Sequence, residues 1–359
     1  MADVPTAAEL RTIAGHFAIG GPVTTVEPLG GGHINDTFLV ATHGPRRHVL
    51  QRLNAEVFRD PDAVMANVER VCRHARARLE AEGRIDAARR SLVLVPTQAG
   101  RSWHVDTAGS RWRCCPFIEG ATAHDVVRNE QQAFEAAAAF GRFQALLVDL
   151  PGGRLAETIP GFHDTPRRFA DFRASLSRAP RDRVAAAGRE IDFALARERD
   201  AAIVVDAIAS GEIPERVCHN DAKLRNVLLD DVTQEGLCVI DLDTVMPGSP
   251  LYDFGDLART CAAAAAEDER DLDRIRVRPS MVAALTEGFC STAGGILTPR
   301  ECELLPFAAR LITLEQGVRF LADWLDGDSY YRISRPRHNL DRARAQFRLV
   351  ESFESALWA

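Results

Sequence analysis

Eight consecutive residues, His219-Asn220-Asp221-Ala222-Lys223-Leu224-Arg225-Asn226, read H-x-D-x-K-x-x-N. Twenty residues after Asp221, the run Val239-Ile240-Asp241-Leu242-Asp243 sets two acids at the end of an apolar stretch. One acid to take a proton, one lysine, one amide and one further acid are the parts needed to hold a Mg-nucleotide against a hydroxyl. Asp221 is the candidate general base. A hydroxyl attacking a phosphoryl group gives up its proton late, and a carboxylate within hydrogen-bond reach orients it and then accepts that proton. Asn226 and Asp241 are the candidate Mg²⁺ ligands, because Mg²⁺ takes hard oxygens and usually one or two carboxylates, with phosphate and water completing the shell. Asp243 either adds a second carboxylate or anchors the loop. An H-N-D sequence alone is a turn with an Asp cap; Lys223, Asn226 and Asp241 in register turn the reading to catalysis.

The H-x-D-x-K-x-x-N loop and the acids after it resemble the protein-kinase-like phosphotransferases that act on small molecules, the aminoglycoside phosphotransferase and choline kinase superfamily. Within it, five further segments look like those of the bacterial N-acetylhexosamine 1-kinases. They are Gly31 to Phe38 (GGHINDTF), Leu50 to Asn54 (LQRLN), Phe117 to Thr122 (FIEGAT), Ile240 to Gly248 (IDLDTVMPG) and Arg319 to Leu321 (RFL), in the same order across most of the chain.

The resemblance implies an α+β, bilobal fold. A small lobe with an antiparallel sheet, residues 1–118, would precede a larger mainly helical lobe, residues 119–359, with ATP and Mg²⁺ between them. It implies that Gly31 and Gly32 approach the phosphates through their backbone, as glycine permits. It places Arg52 where a kinase carries its third-strand lysine, with Glu69 as its carboxylate partner. It makes Cys115 to Gly120 the hinge, so that Phe117, Ile118 and Glu119 line the adenine. His33, Arg319 and Tyr330 fall in the segments that line the sugar pocket; without that role, Arg319 would pair with Asp323 one helical turn on. The implied reaction moves the γ-phosphoryl of ATP to the anomeric hydroxyl of N-acetylglucosamine or N-acetylgalactosamine. Two rivals stand beside it: the same chemistry on another sugar, an amino-alcohol or an aminoglycoside, and a nucleotide-binding pseudokinase. A polycationic aminoglycoside would need an acidic cleft. The intact Asp221, Lys223, Asn226 and Asp241 set weighs against a pseudokinase.

Asp253-Phe254-Gly255 spells the D-F-G of protein kinases, but it lies too far from Asp221 for a short hairpin to join them. It also follows Pro250-Leu251-Tyr252 rather than an apolar strand. Asp253 and Asp256 are therefore read as structural acids bracing the catalytic loop. The glycines at 30 to 32 form neither a Walker loop nor G-x-G-x-x-G, which disfavours those folds.

The chain has 359 residues, 46% of them hydrophobic, and a formal net charge of −7. That length allows one large domain or two lobes, with a sizeable core, and the charge argues against a nucleic-acid-binding surface. None of the eight cysteines forms a C-x-x-C pair, so free thiols in a reducing, cytoplasmic setting are expected rather than zinc. No basic segment leads into an apolar run at the N-terminus, so no signal peptide is expected. No stretch approaches the length of a membrane span.

The elements that would position these residues follow from periodicity. Leu10, Ile13, Ala14 and Phe17 mark a short first helix. Val23 to Leu29, Asp36 to Ala41, Arg47 to Leu53, Ser91 to Pro96, Trp103 to Asp106 and Arg111 to Phe117 read as strands. Asp60-Pro61 starts a helix that Gly83 can end. Asn129 caps a long helix to about residue 150. A short helix is expected near Phe169 to Leu176 and a longer one over Asp182 to Ser210. Short runs around Val217, Val227 to Leu229 and Leu237 to Ile240 fit small hairpins around the catalytic residues. From Tyr252 onward the chain reads as mostly helical.

Overall fold

The computed structural model describes residues 5–30 and 34–357. Thr6 and Glu9 form a reciprocal capping box that starts α1 (Ala7–Gly15), the arrangement that satisfies two orphan N–H groups at a helix start. Three strands follow: β1 (Val23–Pro28), β2 (Asp36–Thr42) and β3 (His48–Arg52). The Asp60 side chain then accepts the Ala63 N–H at 3.0 Å and opens α2 (Pro61–Ala81), whose stripe of Val64, Val68, Val71, Ala75 and Leu79 is buried. After the short α3 (Ala87–Arg90) come β4 (His104–Val105) and β5 (Arg111–Pro116). The five strands form one antiparallel sheet in the order β1-β2-β3-β5-β4. One face carries Phe38, Val40, Leu50, Trp112 and Cys114 and buries them against Leu10, Ile13 and Phe17. Thr37, Gln51 and Arg113 lie on the opposite face, level with one another across β2, β3 and β5.

Phe117 to Gly120 lead from this sheet to β6 (Ala121–Ala123), which belongs to a different sheet, β6-β8-β9. Then come α4 (Glu130–Leu147), capped by Asn129, and α5 (Thr165–Arg178), α6 (Arg181–Ala186), α7 (Gly188–Arg197) and α8 (Ile203–Ala209). The strands β7 (Arg216–Cys218), β8 (Val227–Asp230), β9 (Gly236–Val239) and β10 (Met246–Gly248) follow. The chain ends in α9 (Pro250–Cys261), α10 (Pro279–Ala293), α11 (Pro299–Leu325) and α12 (His338–Leu357). Together they give the α+β architecture expected, a sheet lobe followed by a mainly helical one. Helices α4 and α10 meet closely enough that a β-carbon on Gly288 would lie 2.2 Å from the Phe134 carbonyl oxygen. A second core gathers Phe169, Phe172, Leu314, Val318, Leu321 and Phe347 from α5, α11 and α12. Among the described residues no helix is long and apolar enough to cross a membrane, and the eight cysteines are free thiols.

Two expected elements differ. Ser91 to Pro96 runs beside β5 without becoming a strand; Val95 donates one backbone hydrogen bond, to Cys114 at 2.8 Å. The expected helix over Asp182 to Ser210 is broken into α6, α7, a 3-10 turn and α8. The backbone leaves helical geometry at Ala187, with φ −114° and ψ 15°. The break lets Ala187, Ile191 and Ala194 join the core beside Phe347 and Val350, so packing overrides helix propensity.

Candidate active site

The His219 to Asn226 segment is held at both ends by one small ladder. β7 pairs antiparallel with β10, Cys218 opposite Met246 and Arg216 opposite Gly248. The residues after β7 therefore lie beside those before β10. Between them the β8–β9 hairpin pairs Val227 with Val239 and returns Asp241 to the neighbourhood of Asn226. Ile240 N–H closes the junction by donating to the Asn226 carbonyl at 2.9 Å. The contact is close: a β-carbon on Gly248 would sit 2.6 Å from Asn220 Oδ1.

Asp221, Lys223 and Asn226 meet directly. Lys223 Nζ lies 2.9 and 3.0 Å from the two Asp221 carboxylate oxygens. Asn226 Nδ2 donates to the Asp221 carbonyl at 2.8 Å and to its Oδ2 at 3.1 Å. Burial opposes charge on Asp221, yet Lys223 and these bonds hold its carboxyl below the ordinary range. Lys223 shifts upward: burial disfavours its charge, and Asp221 outweighs that.

His219 fixes the loop from behind. Its buried ring meets Phe140 and Phe143 edge-on, Nε2 donates to the Ile240 carbonyl at 2.9 Å, and Nδ1 accepts the Asp221 N–H at 3.3 Å. The D-F-G acid, Asp253, is fully buried. It accepts the backbone N–H groups of His219 at 3.0 Å and Asn220 at 2.7 Å, and a bond from Gln144. Asp256 pairs with Arg259 at 2.7 Å.

Asn226 and Asp241 offer two hard oxygens. Asn226 turns its amide nitrogen to Asp221, so among the described residues its side-chain carbonyl has no hydrogen-bond partner, and neither has the Asp241 carboxylate. That donor set suits Mg²⁺ that shares phosphate oxygens. Asp241 is open to solvent, but protein crowds its inner side. Burial first, then the Asp243 and Asp221 carboxylates, push its pKa up to about 6. Its backbone is left-handed, φ 62° and ψ 56°. Asp243 departs from the ligand role. It points inward, 2% exposed, with one carboxylate oxygen on Arg113 and the other on Asn35. The loop-anchor alternative describes it, because both oxygens are already bonded.

On the sheet lobe the expected Arg52–Glu69 pair is replaced by two others. Arg52 lies directly opposite Asp36 in the β2–β3 register, bonds it at 2.6 Å and covers the Trp112 ring at 5.7 Å. Glu69 pairs with Arg73 at 2.5 Å and accepts from Ser102 Oγ at 2.7 Å. Strand alternation is the reason: Leu50 and Arg52 share the α1 face, so Gln51 takes the opposite face, level with Arg113. In the hinge, the Phe117 N–H donates to the Arg47 carbonyl at 2.9 Å and the Phe117 ring lies under the Arg47 guanidinium. The Glu119 side chain pairs with Arg47 and its carbonyl accepts from Arg89 at 2.9 Å. Ile118 is half-buried and makes no hydrogen bond to another described residue. Gly31, Gly32 and His33 lie outside the described residues.

On the helical side Arg319 has no carboxylate partner among the described residues. Asp323, its alternative partner, accepts the N–H groups of Ser329, Tyr330 and Tyr331 and a bond from Asn339. Arg319 donates to Gln316 at 3.2 Å and stands 5.2 Å from the Phe162 ring and 5.8 Å from the Tyr331 ring. Tyr330 is 69% exposed and sits edge-on to Tyr331, so the aromatic facing Arg319 is Tyr331. Arg168 bonds the Phe162 carbonyl at 2.8 Å; burial and then Arg319 lower its pKa.

His163 ties this region to the His219 to Asn226 loop. Its Nδ1 lies 2.9 Å from Glu315, one turn before Arg319 on α11, and its Nε2 2.9 Å from the Asn220 carbonyl. Thr165 donates to the other Glu315 oxygen at 2.6 Å. Sequence reasoning missed His163, Glu315, Phe162, Tyr331, Arg113 and Gln51. Only Gln51 carried a local signal, the two-residue period of β3.

The family model described as "Phosphotransferase enzyme family" matches residues 25–284. Among solved structures, a microcompartment-associated aminopropanol kinase is similar at 18% identity over 97% of this chain and 98% of that chain, with a TM-score of 0.61. An aminoglycoside phosphotransferase from Alicyclobacillus acidocaldarius is similar at 14% identity over 99% and 96%, TM-score 0.63. An amicoumacin kinase in complex with AMP-PNP, Ca²⁺ and Ami is similar at 12% identity over 97% and 92%, TM-score 0.58. At these identities the likeness is one of fold.

Proposed function

The chain belongs to the phosphotransferase enzyme family, and on that premise we propose that it is an ATP- and Mg²⁺-dependent kinase acting on the anomeric hydroxyl of an N-acetylhexosamine. The acceptor oxygen attacks the γ-phosphorus of ATP, the bond to the ADP oxygen breaks, and the acceptor proton passes to Asp221. The products are ADP and the sugar 1-phosphate. Asp221 suits the role because its carboxyl is held ionised and ready to accept. Lys223 lies where it can turn from Asp221 to the transferred phosphoryl group. Asn226 and Asp241 would hold Mg²⁺, which when bound neutralises phosphate charge. The sheet and helical lobes fix donor and acceptor in line, and positioning with electrostatic stabilisation is most of what this chemistry requires.

The observation that carries the acceptor class is Arg319. A guanidinium with no carboxylate partner among the described residues, flanked by Phe162 and Tyr331, suits a neutral, hydroxyl-rich ring with an amide carbonyl. It repels the ammonium groups of an amino-alcohol or aminoglycoside. The nearby acids are each bonded elsewhere: Glu315 to His163 and Thr165, and Asp256 and Glu267 to Arg259. The test is ADP release over a panel of N-acetylglucosamine, N-acetylgalactosamine, other hexoses, amino-alcohols and aminoglycosides, with the phosphorylated carbon identified by NMR. ADP release with an N-acetylhexosamine and a 1-phosphate product is expected. Turnover with an amino-alcohol and none with any N-acetylhexosamine would retain the kinase and remove the sugar.

A further inference from the structure

We propose that Arg113 is a positioning residue for the metal-binding loop: from β5 it reaches across the cleft to Asp243 and thereby holds Asp241, two residues earlier, where a metal ligand must stand. Thr37, Gln51 and Arg113 stand in one row across β2, β3 and β5. Gln51 Nε2 donates to Thr37 Oγ1 at 3.1 Å, and Arg113 Nε donates to Gln51 Oε1 at 2.9 Å. The row orients the guanidinium, and its Nη1 donates to Asp243 Oδ1. Asn35 donates to the other Asp243 oxygen and accepts the Asn54 N–H at 3.0 Å. From the helical side, Thr158 Oγ1 donates to the Asp243 carbonyl at 3.1 Å. Asp243 is thus gripped by two elements of the sheet lobe and one of the helical part.

Three features argue for position rather than stability. Arg113 is 1% and Asp243 2% exposed, and a buried ion pair adds little net stability over apolar residues of similar volume. Arg113 Nη2 is buried without a hydrogen-bond partner among the described residues, a cost that a purely structural residue would avoid. The segment it grips carries the left-handed backbone of Asp241, a conformation that persists in a non-glycine residue where the surroundings over-determine it. In protein kinases a third-strand lysine paired with a helix glutamate supplies the sheet-lobe cation. Here Gln51 faces the cleft from β3, Arg52 faces α1, and Glu69 is held by Arg73 and Ser102. The cation arrives from β5 instead, and its partner is the metal loop itself.

The inference rests on the kinase reading but not on which acceptor is used. Full-length Arg113→Met, Arg113→Lys, Asp243→Leu and the Arg113→Met/Asp243→Leu double variant are compared by ATP-binding calorimetry with and without Mg²⁺. Melting temperature, kcat and KM are measured with whichever acceptor supports ADP release. Arg113→Met is expected to weaken Mg²⁺-dependent ATP binding and to lower kcat by ~10- to 100-fold, as loss of a residue behind a metal ligand typically does. Metal-free ATP binding and acceptor KM should hold. Arg113→Lys should recover part of kcat. The double variant should melt near wild type, since no lone charge is left buried, yet keep the kinetic defect. The proposal is overturned if Arg113→Met leaves Mg²⁺-dependent binding unchanged or tighter, or if the double variant regains kcat together with its melting temperature. A wild-type protein that fails to bind Mg-ATP would overturn the kinase reading instead.

Discussion

Asp221 and Asp241 have opposite protonation tendencies, a contrast that suits the different work proposed for them. Asp221, beside Lys223, stays ionised well into the acid range. Replacing it with Asn should lower kcat by ~10²- to 10⁴-fold, the usual cost of losing a general base, while ATP affinity holds; steady-state kinetics with nucleotide calorimetry checks both. A variant keeping more than a tenth of the wild-type kcat would remove Asp221 as the base. Asp241 has its pKa raised from 3.8 to about 6 in the metal-free protein. The folded state therefore binds more protons than the unfolded chain between those values, and stability falls as pH rises through that window. Above it the cost is fully present. Asp241→Asn removes that charge, and asparagine accepts the left-handed backbone. The metal-free variant should melt higher than wild type at pH 7 to 8, with the gain shrinking toward pH 4, while Mg²⁺-dependent ATP binding is lost. Asp253→Asn provides the contrast: a lower melting temperature with no metal-specific defect.

At the scale of elements, the site is an assembly of braces around a contiguous loop, and this explains which parts sequence could reach. His219 to Asn226 is read directly because its chemistry lies within eight residues, and the return to Asp241 needs only a hairpin. Asp253 is separable from a metal ligand by its offset and by the Pro250-Leu251-Tyr252 run that precedes it in place of an apolar strand. The two-residue period of β3, with Leu50 on the core face, carried the information that Gln51 rather than Arg52 faces the cleft. The kinase resemblance pointed to Arg52 instead. Arg113 with Asp243 and His163 with Glu315 are 130 and 152 residues apart; no local pattern announces a partner at that distance. The His163 brace has a pH signature. Burial works against both charges, but their attraction raises His163 above its ordinary 6.5 and lowers Glu315 below 4.5. The raised His contributes stability that is full below pH 6.5 and fades as pH climbs through its folded pKa. The lowered Glu contributes stability that is full above pH 4.5 and fades as pH falls through its own. The melting-temperature gap between wild type and His163→Gln should therefore be widest between pH 4.5 and 6.5 and narrow on both sides. A gap flat from pH 4 to 9 would mean the pair is not ionised.

At the scale of the whole molecule, the proposed function assigns the two substrates to different sets of elements. The nucleotide side draws on both parts of the chain, the five-stranded sheet and the β7–β10 segment, which meet through Asp243, Asn35 and Arg113. The proposed acceptor side draws, among the described residues, on the helical part: Phe162 before α5, Gln316 and Arg319 on α11, and Tyr331 in the turn that Asp323 organises. Substitutions there should separate the two KM values. Arg319→Ala is expected to raise KM for the N-acetylhexosamine by about tenfold to a hundredfold, since a hydrogen bond from a charged group contributes about 1.5 to 3 kcal/mol. KM for ATP should move little. Tyr331→Ala should follow Arg319→Ala in direction, because Tyr331 is the aromatic against the guanidinium, whereas the exposed Tyr330 should have the smaller effect when cut to Ala. Measuring both KM values with a melting curve for each variant decides the matter. Equal rises in both KM values, or a lower melting temperature with an unchanged sugar KM, would make Arg319 a packing residue of α11. A larger effect from Tyr330 than from Tyr331 would mean that the turn after α11 rearranges when the acceptor binds, bringing the exposed ring over the sugar.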